Sequence, residues 1–488
     1  MRGFHALKMN KNTASSGISL SVKRLRDILA IAEILFYISL VQCLMRHQDT
    51  ICAIATPPGR GGIGVVRLSG AQAQAIGLTL TGLADFMPRR AQFARFYTAD
   101  NQVLDEGLVL WFPAPHSFTG EAVVELQGHG GPVVLDMLVQ RCVQLGARLA
   151  QPGEFSERAF LNDKLDLAQA EAIADLIDCQ TETAARLAMR SLQGEFSQRV
   201  QSVVSALIRL RLYVEAAIDF PEEEVDFLAD GRVQADLQAL VAQVADLQAV
   251  AQRGRVIREG VTLVIAGHPN AGKSSLMNAL VGVDAAIVTD IPGTTRDVLR
   301  EHIQLKGIPV QLLDTAGLRL NPGVIEQQGI QRARQAIAEA DRVLWVYDGA
   351  EGSAQIDLDT IPANVPVTLV HNKADLSGMP LGCTEVAGQV TVALCARERQ
   401  GIDYLRQHIA TCLGLDIQTE GDFMARRRHL VAIAEAADHL QHASQHALAG
   451  ELLAEDLRQS QLALAQITGE FSADDLLGAI FSQFCIGK

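Results

Sequence analysis

The sequence predicts a P-loop α/β domain set between two helical blocks, with a strand-and-loop region ahead of them. Three observations lead there. Gly267-His268-Pro269-Asn270-Ala271-Gly272-Lys273-Ser274 fits G-x-x-x-x-G-K-[ST], between the strand-like run Val261–Ala266 and the helical stretch Ser274–Leu280. From Val261 to about Gly414, strand-like runs alternate with helical stretches, the pattern of a parallel sheet covered on both faces. On either side, proline and glycine thin out and apolar residues recur at helical spacing. A chain of 488 residues has room for about three domains at ~150 residues each.

Composition narrows the class. Hydrophobic residues make up 48% and charged residues 20%, which excludes a disordered chain, a collagen-like fibre and a multi-pass membrane protein. Lys and Arg number 42 against 56 Asp and Glu, a net charge of −14, so the chain as a whole is no dedicated nucleic-acid binder, although a local basic patch stays open. The eight cysteines include no Cys-x-x-Cys pair, which fits a reducing, cytosolic compartment better than a disulfide framework or a zinc site.

The elements follow in order. Lys23, Arg24 and Arg26 precede the mostly apolar stretch Ile28–Met45, the shape of a signal anchor or marginal membrane span. Glu33 inside it would cost about 2.5–3.5 kcal/mol on insertion. Residues 1–45 are therefore read first as an extension from an upstream start codon; a helix packed on the body and a membrane anchor stay open. From 46 to 150, Ile63–Leu68, Leu108–Phe112 and Val123–Leu126 read as strands between Gly- and Pro-rich loops. From Leu165 to about Arg253, Leu167, Ala170, Ala174 and Ile177 mark a helical region, continued by Val200–Ala217. The sheet strands are Val261–Ala266, Val310–Leu313, Val343–Tyr347, Val367–Val370 and Val390–Leu394, and the chain is helical again through Arg426–Ala449 and Leu452–Ile467.

Four short motifs give the α/β domain a guanine-nucleotide chemistry. In the P-loop, glycines let backbone N–H groups wrap phosphates, Lys273 reaches the β and γ phosphates, and Ser274 holds Mg²⁺. Asp314-Thr315-Ala316-Gly317 ends a strand, with Asp314 suited to the Mg²⁺ shell and the Gly317 N–H to the γ phosphate. Asn372-Lys373-Ala374-Asp375 ends another, and Asp375 can accept from guanine N1–H and the N2 amino group together. Adenine lacks that donor pair, so the mismatch discriminates strongly. Cys395-Ala396-Arg397 is placed to meet guanine O6 through its backbone. Each motif sits at a strand's carboxyl end, where open α/β sheets bind ligands. Leu318 stands where Ras-like switches carry a water-orienting Gln, and Asp290–Asp297 forms a switch loop whose Thr can ligate Mg²⁺. Arg296 is read as structural or solvated ahead of an arginine finger.

The P-loop with Asn270, the Gly293–Asp297 run, Leu318 after Asp314–Gly317, and the terminal Phe484-Cys485-Ile486-Gly487-Lys488 together resemble the MnmE (TrmE) family of tRNA-modification GTPases. Ala55–Gly64, Ser117–Pro132 and Pro152–Leu167 extend that resemblance over about residues 49–488. It implies an α/β and α fold: a Ras-like P-loop G domain (256–415) inserted in a helical domain (164–255 and 416–488), preceded by an α+β tetrahydrofolate-binding dimerisation domain (46–163). It implies K⁺-stimulated GTP hydrolysis in a cytoplasmic homodimer with no stable membrane partner. With the partner MnmG, in a heterotetramer or larger complex, the family adds an aminomethyl or carboxymethylaminomethyl group to carbon 5 of the wobble uridine (position 34) of certain tRNAs.

The site residues it implies are specific. GTP would be held by Asn270, Ala271, Gly272, Lys273, Ser274 and Ser275; by Thr289, Asp290, Ile291, Pro292, Gly293, Thr294 and Thr295; by Asp314, Thr315, Ala316 and Gly317; by Asn372, Lys373, Ala374 and Asp375; and by Cys395, Ala396 and Arg397, where the family usually has Ser in place of Cys395. K⁺ would be ligated by Asn270, Thr289, Ile291 and Thr294, and Mg²⁺ by Ser274 and Thr295. Glu326 would orient water through a second water, against the alternative of a solvated helix-start carboxylate. A tetrahydrofolate derivative, 5-formyl- or methylene-tetrahydrofolate, would lie on Arg67, Glu125, Lys164 and Lys488. His129 is read as a turn histidine ahead of a catalyst, Cys485 as a residue that matters for the modification step, and Arg426-Arg427-Arg428 as a solvated helix face ahead of a tRNA contact. The rival is a ribosome-assembly GTPase of the Era or Der type, which would need a KH-like module after the G domain; a membrane switch anchored by Ile28–Met45 is the other.

Overall fold

The structure, a computed structural model, describes residues 49–219, 231–282, 300–314, 334–351, 361–363, 365–386, 389–412, 422–446, 449–470 and 474–487. The extension and the apolar stretch Ile28–Met45 lie outside them. Among the described residues no helix is long and apolar enough to cross a membrane. The chain divides into two compact units, Met1–Leu165 with Asp474–Lys488, and Asp166–Ala473.

The first unit is α+β. Its elements are β1 (Ile51–Ile54), β2 (Gly61–Ser69), α1 (Ala73–Thr81), β3 (Gln92–Tyr97), β4 (Val103–Phe112), β5 (Val123–Gly130), α2 (Pro132–Gln144), β6 (Arg148–Leu149) and α3 (Glu154–Leu161). The sheet runs β3-β4-β5-β2-β1-β6, antiparallel except for β1 beside β6. Alternation decides its faces: Val66, Leu68, Phe96, Val124 and Leu126 are buried against Ile76 and Leu80 of α1 and Leu135 and Leu138 of α2. A side chain at Gly64 would run into Leu135, so that glycine lets α2 lie close on the sheet.

The carboxyl-terminal helix Asp474–Phe481 packs with this unit. Phe481 lies 6.3 Å from Phe160 and 5.4 Å from Phe484, and Gly153 N–H donates to Cys485 O at 3.3 Å. Gly153 has φ +70 and faces the Phe481 carbonyl at a distance that excludes a Cβ.

The second unit begins with α4 (Leu167–Asp178), α5 (Glu182–Leu192), α6 (Glu195–Asp219) and α7 (Arg232–Glu259). A reciprocal cap starts α4: Asp166 accepts from Gln169 N–H at 2.8 Å, and the Gln169 side chain accepts from Asp166 N–H at 3.0 Å. The sheet follows as β7 (Val261–Gly267), α8 (Lys273–Val281), β8 (Arg300–Leu305), β9 (Ile308–Asp314), β10 (Arg342–Asp348), β11 (Val367–Asn372), α9 (Ala374–Ser377), β12 (Gly382–Val386), β13 (Gln389–Ala393) and α10 (Ile402–Cys412). Its order is β12-β13-β11-β10-β7-β9-β8, with parallel pairing throughout the centre and antiparallel edges at β12 and β8. The chain then returns to helix in α11 (Arg427–Gln445) and α12 (Gly450–Thr468). One apolar core joins both helical blocks: Val200, Leu207 and Val214 of α6, Leu240, Val244 and Leu247 of α7, Ile433 and Leu440 of α11, and Leu457 and Leu464 of α12. The sheet is thus inserted in a helical domain.

The join is polar and tight. Phe423 stacks on Phe196 with ring centres 4.3 Å apart, and Ser191 Oγ accepts from Met424 N–H at 2.9 Å. Arg426 and Arg428 correct the expectation of a solvated or tRNA-facing cluster. Arg428 makes two 2.7 Å bonds to the buried Glu171, and Arg426 bonds Asp175 at 2.7 Å. Only Arg427 of the three is exposed. His429 is buried, accepts from Arg426 N–H at Nδ1 (3.1 Å) and faces Glu171 through Nε2 (2.8 Å), which sets its tautomer and suits the neutral ring that burial favours.

Candidate functional sites

The P-loop leaves β7 at its carboxyl end. Gly267, Asn270 and Gly272 have φ of +137, +62 and +91, the left-handed turns that bring successive amides to one side. A Cβ at Gly267 would meet Val346 O, and one at Gly272 would meet Asn372 Nδ2, so neither position has room for one. Lys273 is 8% exposed and its ammonium donates to Gly267 O at 3.1 Å and His268 O at 2.8 Å. A buried ammonium beside the carbonyls of a left-handed loop suits an anion. Ser274 Oγ donates to Asp314 Oδ2 at 3.2 Å, and Asp314 is 1% exposed at the end of β9, the strand paired with β7. Two hard oxygens side by side, one ionisable, fit Mg²⁺.

The other end of the crevice is organised by Asn372, 3% exposed at the end of β11. Its Nδ2 donates to Ala271 O at 2.8 Å and its Oδ1 accepts from Ala396 N–H at 3.0 Å, so one amide ties the P-loop to the 395–397 loop. Of the 395–397 backbone, expected at guanine O6, the Ala396 N–H is engaged by Asn372. Lys373 at φ +63 donates to Asp348 Oδ2 at 2.6 Å and holds the Asp348 carboxyl below its usual range. Asp348 was not anticipated; an acid closing the apolar run Val343–Tyr347 was the available signal. Asp375 opens α9 and is exposed. Burial, and then a hydrogen bond to Asp375, push the Cys395 thiol up, keeping it protonated as a donor where the family usually has a hydroxyl.

The crevice therefore gathers Asn270–Ser275, Asp314, Asn372–Asp375 and Cys395–Arg397 at the carboxyl ends of β7, β9, β11 and β13. Thr289, Asp290, Ile291, Pro292, Gly293, Thr294, Thr295, Thr315, Ala316, Gly317 and Glu326 lie outside the described residues. A cavity of about 370 Å³, lined by Asp175, Arg258, Thr262, His302 and Gln311 among others, lies at the amino ends of β7 and β9, away from these motifs.

In the first unit, Arg67 of β2 and Glu125 of β5 are register partners joined at 2.8 Å and 2.9 Å, with side chains 22% and 16% exposed. Phe118 and Phe155 stand 5.9 and 5.8 Å from the Arg67 guanidinium carbon. Lys164 Nζ donates to Pro115 O at 3.0 Å, and its stem passes Gly120, so it borders the loop that carries Phe118. A charged pair beside an aromatic face suits a flat heterocycle with both donors and acceptors, and Lys164 suits an anionic tail. Lys488 lies outside the described residues. His129 is not in a turn: it is the penultimate residue of β5, with Nδ1 2.6 Å from Asp105 Oδ1 and its N–H donating to Asp105 Oδ2 at 2.8 Å. The carboxylate raises the imidazole above its ordinary value. Cys485 is exposed.

Comparisons place this chain among known proteins. The family model described as MnmE helical domain matches residues 167–485, and the one described as GTP-binding protein TrmE N-terminus matches 50–164. The tRNA modification GTPase MnmE of Stutzerimonas stutzeri (strain A1501) is 58% identical over 453 residues, covering 90% of this chain and 99% of that one. Among solved structures, the G domain of the T. maritima FeoB iron transporter is 25% identical over 31% of this chain and 97% of its own, with a TM-score of 0.24. The cytosolic domain of the same transporter in a GDP form is 18% identical over 43% of this chain and 98% of its own, with a TM-score of 0.25.

Proposed function

The chain belongs to the MnmE (TrmE) family of tRNA modification GTPases, and from that premise we propose how its residues serve GTP hydrolysis and the modification of tRNA. It is a GTP-hydrolysing enzyme of tRNA modification. The observation that carries the mechanistic reading is the Asn372 amide, bonded to the P-loop on one side and the 395–397 loop on the other, because it couples recognition of the base to the shape of the phosphate cradle.

On GTP binding, Lys273 exchanges the carbonyls of Gly267 and His268 for β and γ phosphate oxygens, and the amides of Asn270–Ser275 at the start of α8 receive the rest of the charge. Asp375 accepts from guanine N1–H and N2, a pairing adenine leaves unmade. The 395–397 loop, held by Asn372, meets guanine O6 through its backbone. Ser274 and Asp314, with Thr295 from the switch loop, hold Mg²⁺, which neutralises charge on the phosphates. Asn270, with Thr289, Ile291 and Thr294, holds K⁺, which takes the place of an arginine finger. Glu326 makes good the Gln that Leu318 replaces, orienting water through a second water.

Arg67, Glu125, Lys164 and Lys488 bind a tetrahydrofolate derivative: the Glu125 carboxylate accepts from heterocycle N–H groups, and the cations face carbonyls and the glutamate tail. The derivative supplies a one-carbon unit. The working form is a cytoplasmic homodimer that acts with MnmG on tRNA, installing an aminomethyl or carboxymethylaminomethyl group at carbon 5 of the wobble uridine. Helices α11 and α12 fill the place after the sheet where a ribosome-assembly GTPase would need a KH-like module with strands. GTP turnover in KCl against NaCl at equal ionic strength tests the ion assignment: faster turnover in K⁺ is expected, and equal rates overturn it.

A further inference from the structure

We propose that the hairpin of α11 and α12 holds a first-row transition-metal dication, of the Zn²⁺ type, between His439, His442 and Asp456, with His446 orienting the carboxylate. The inference is independent of the nucleotide and folate assignments. His439, His442 and His446 stand on α11 and beyond its last turn at spacings of three and four, so they share one face of the helix. Asp456 faces them from α12. One ligand atom from each of His439, His442 and Asp456 lies within 4.8 Å of the others.

Two details point to an ion rather than to a hydrogen-bonded cluster. His439 Nδ1 is a buried nitrogen with no hydrogen-bond partner, and it faces Asp456 Oδ1 at 3.9 Å. That gap is too long for a hydrogen bond. It exceeds the roughly 3.4 Å that a nitrogen and an oxygen span across a tetrahedral ion by about half an ångström, a closure that rotation of the half-exposed His439 ring supplies. The other oxygen, Oδ2, is 3.0 Å from His446 Nδ1, the outer carboxylate–histidine contact that orients metal ligands. His442 is exposed, so its ring can swing the remaining distance without disturbing the core. Two imidazoles and one carboxylate, with the next position open to water, suit Zn²⁺, Co²⁺ or Ni²⁺ rather than the hard cations of the nucleotide site. Bound there, the ion clips α11 to α12.

The test uses the full-length, tag-free protein stripped with chelator and titrated separately with Zn²⁺ and Co²⁺. One equivalent should bind, Co²⁺ should show the visible bands of a low-coordinate nitrogen–oxygen site without a thiolate charge-transfer band, and Zn²⁺ should raise the melting temperature. His442→Ala and Asp456→Asn should each weaken binding at least tenfold, and His446→Ala about tenfold, with GTP turnover unchanged. His442→Ala removes an exposed ring, and circular dichroism is the control for its folding. Binding by His442→Ala within twofold of the parent, a thiolate band, or no bound equivalent would each overturn the assignment.

Discussion

Replacing Gly272 by Ala strikes the point where phosphate and base recognition meet. Gly272 sits at φ +91, and an added Cβ would run into Asn372 Nδ2, the atom that donates to Ala271 O at 2.8 Å. Holding an L-residue in the left-handed region costs about 1–2 kcal/mol. Losing the buried amide's hydrogen bond costs about 0.5–1.5 kcal/mol more. In the free protein the loop relaxes and escapes both costs, so they reappear when the nucleotide imposes the cradle. The sum, about 1.5–3.5 kcal/mol, weakens guanine-nucleotide binding by roughly 10- to 400-fold. Titration with a fluorescent GDP analogue measures this, with thermal unfolding as the control for folding. A folded Gly272→Ala protein whose Kd stays within threefold of the parent would refute the reasoning, because neither the backbone strain nor the Asn372 contact would then matter to the site.

The buried network around Glu171 gives a prediction about stability. Glu171→Gln leaves Arg428 without its charged partner, and breaking such a pair costs about 3 kcal/mol, a drop of roughly 6–12 °C by calorimetry for a domain of 150–250 residues. Burial opposes ionisation of Glu171, but His429 and Arg428 outweigh it and hold the carboxyl well below the usual range. Its stabilisation is therefore complete above the unfolded carboxylate value, about 4.3, and is lost only as pH falls through the depressed folded value. The Gln variant should lack that acid-side loss. At His129, Asp105 raises the imidazole, so the pair contributes at lower pH and the contribution disappears as pH rises through the raised value. Proton NMR should place its midpoint above the ordinary 6.5, and Asp105→Asn should bring it back; an unchanged midpoint in the variant would remove Asp105 as the cause.

What could be read in the sequence follows the range of the forces involved. The P-loop and its flanking strand were legible because glycine conformation, the helix start and an apolar run are all local. The central strands β7, β10 and β11 were legible because burial on both faces leaves continuous apolar runs such as Val261–Ala266. The edges were not. Arg300–Leu305 carries Arg, Glu, His and Gln, as edge strands that resist further pairing often do, and Gly382–Val386 is short and opens on glycine. Gln92–Tyr97 at the edge of the first sheet was missed because Arg95 interrupts its apolar run, with Phe93 and Arg95 exposed and Ala94 and Phe96 buried.

Long-range partners set the other limit. Nothing near Arg426–Arg428 announces Glu171 and Asp175, more than 240 residues earlier, so a buried ionic network read as a solvated face. The contacts of Phe481 with Phe160 and of Cys485 with Gly153 are equally remote in sequence. His129 looked like a turn residue because glycines flank it, yet β5 runs through Gly128 and Gly130.

The central claim, that GTP hydrolysis in this cradle serves wobble-uridine modification, meets its most direct test in a strain whose only copy carries Lys273→Ala. Mass spectrometry of nucleosides from its tRNA should find carbon 5 of the wobble uridine without its aminomethyl-type substituent, as in a deletion strain, while the parent copy restores it. Fully modified wobble uridines in the Lys273→Ala strain would contradict the account.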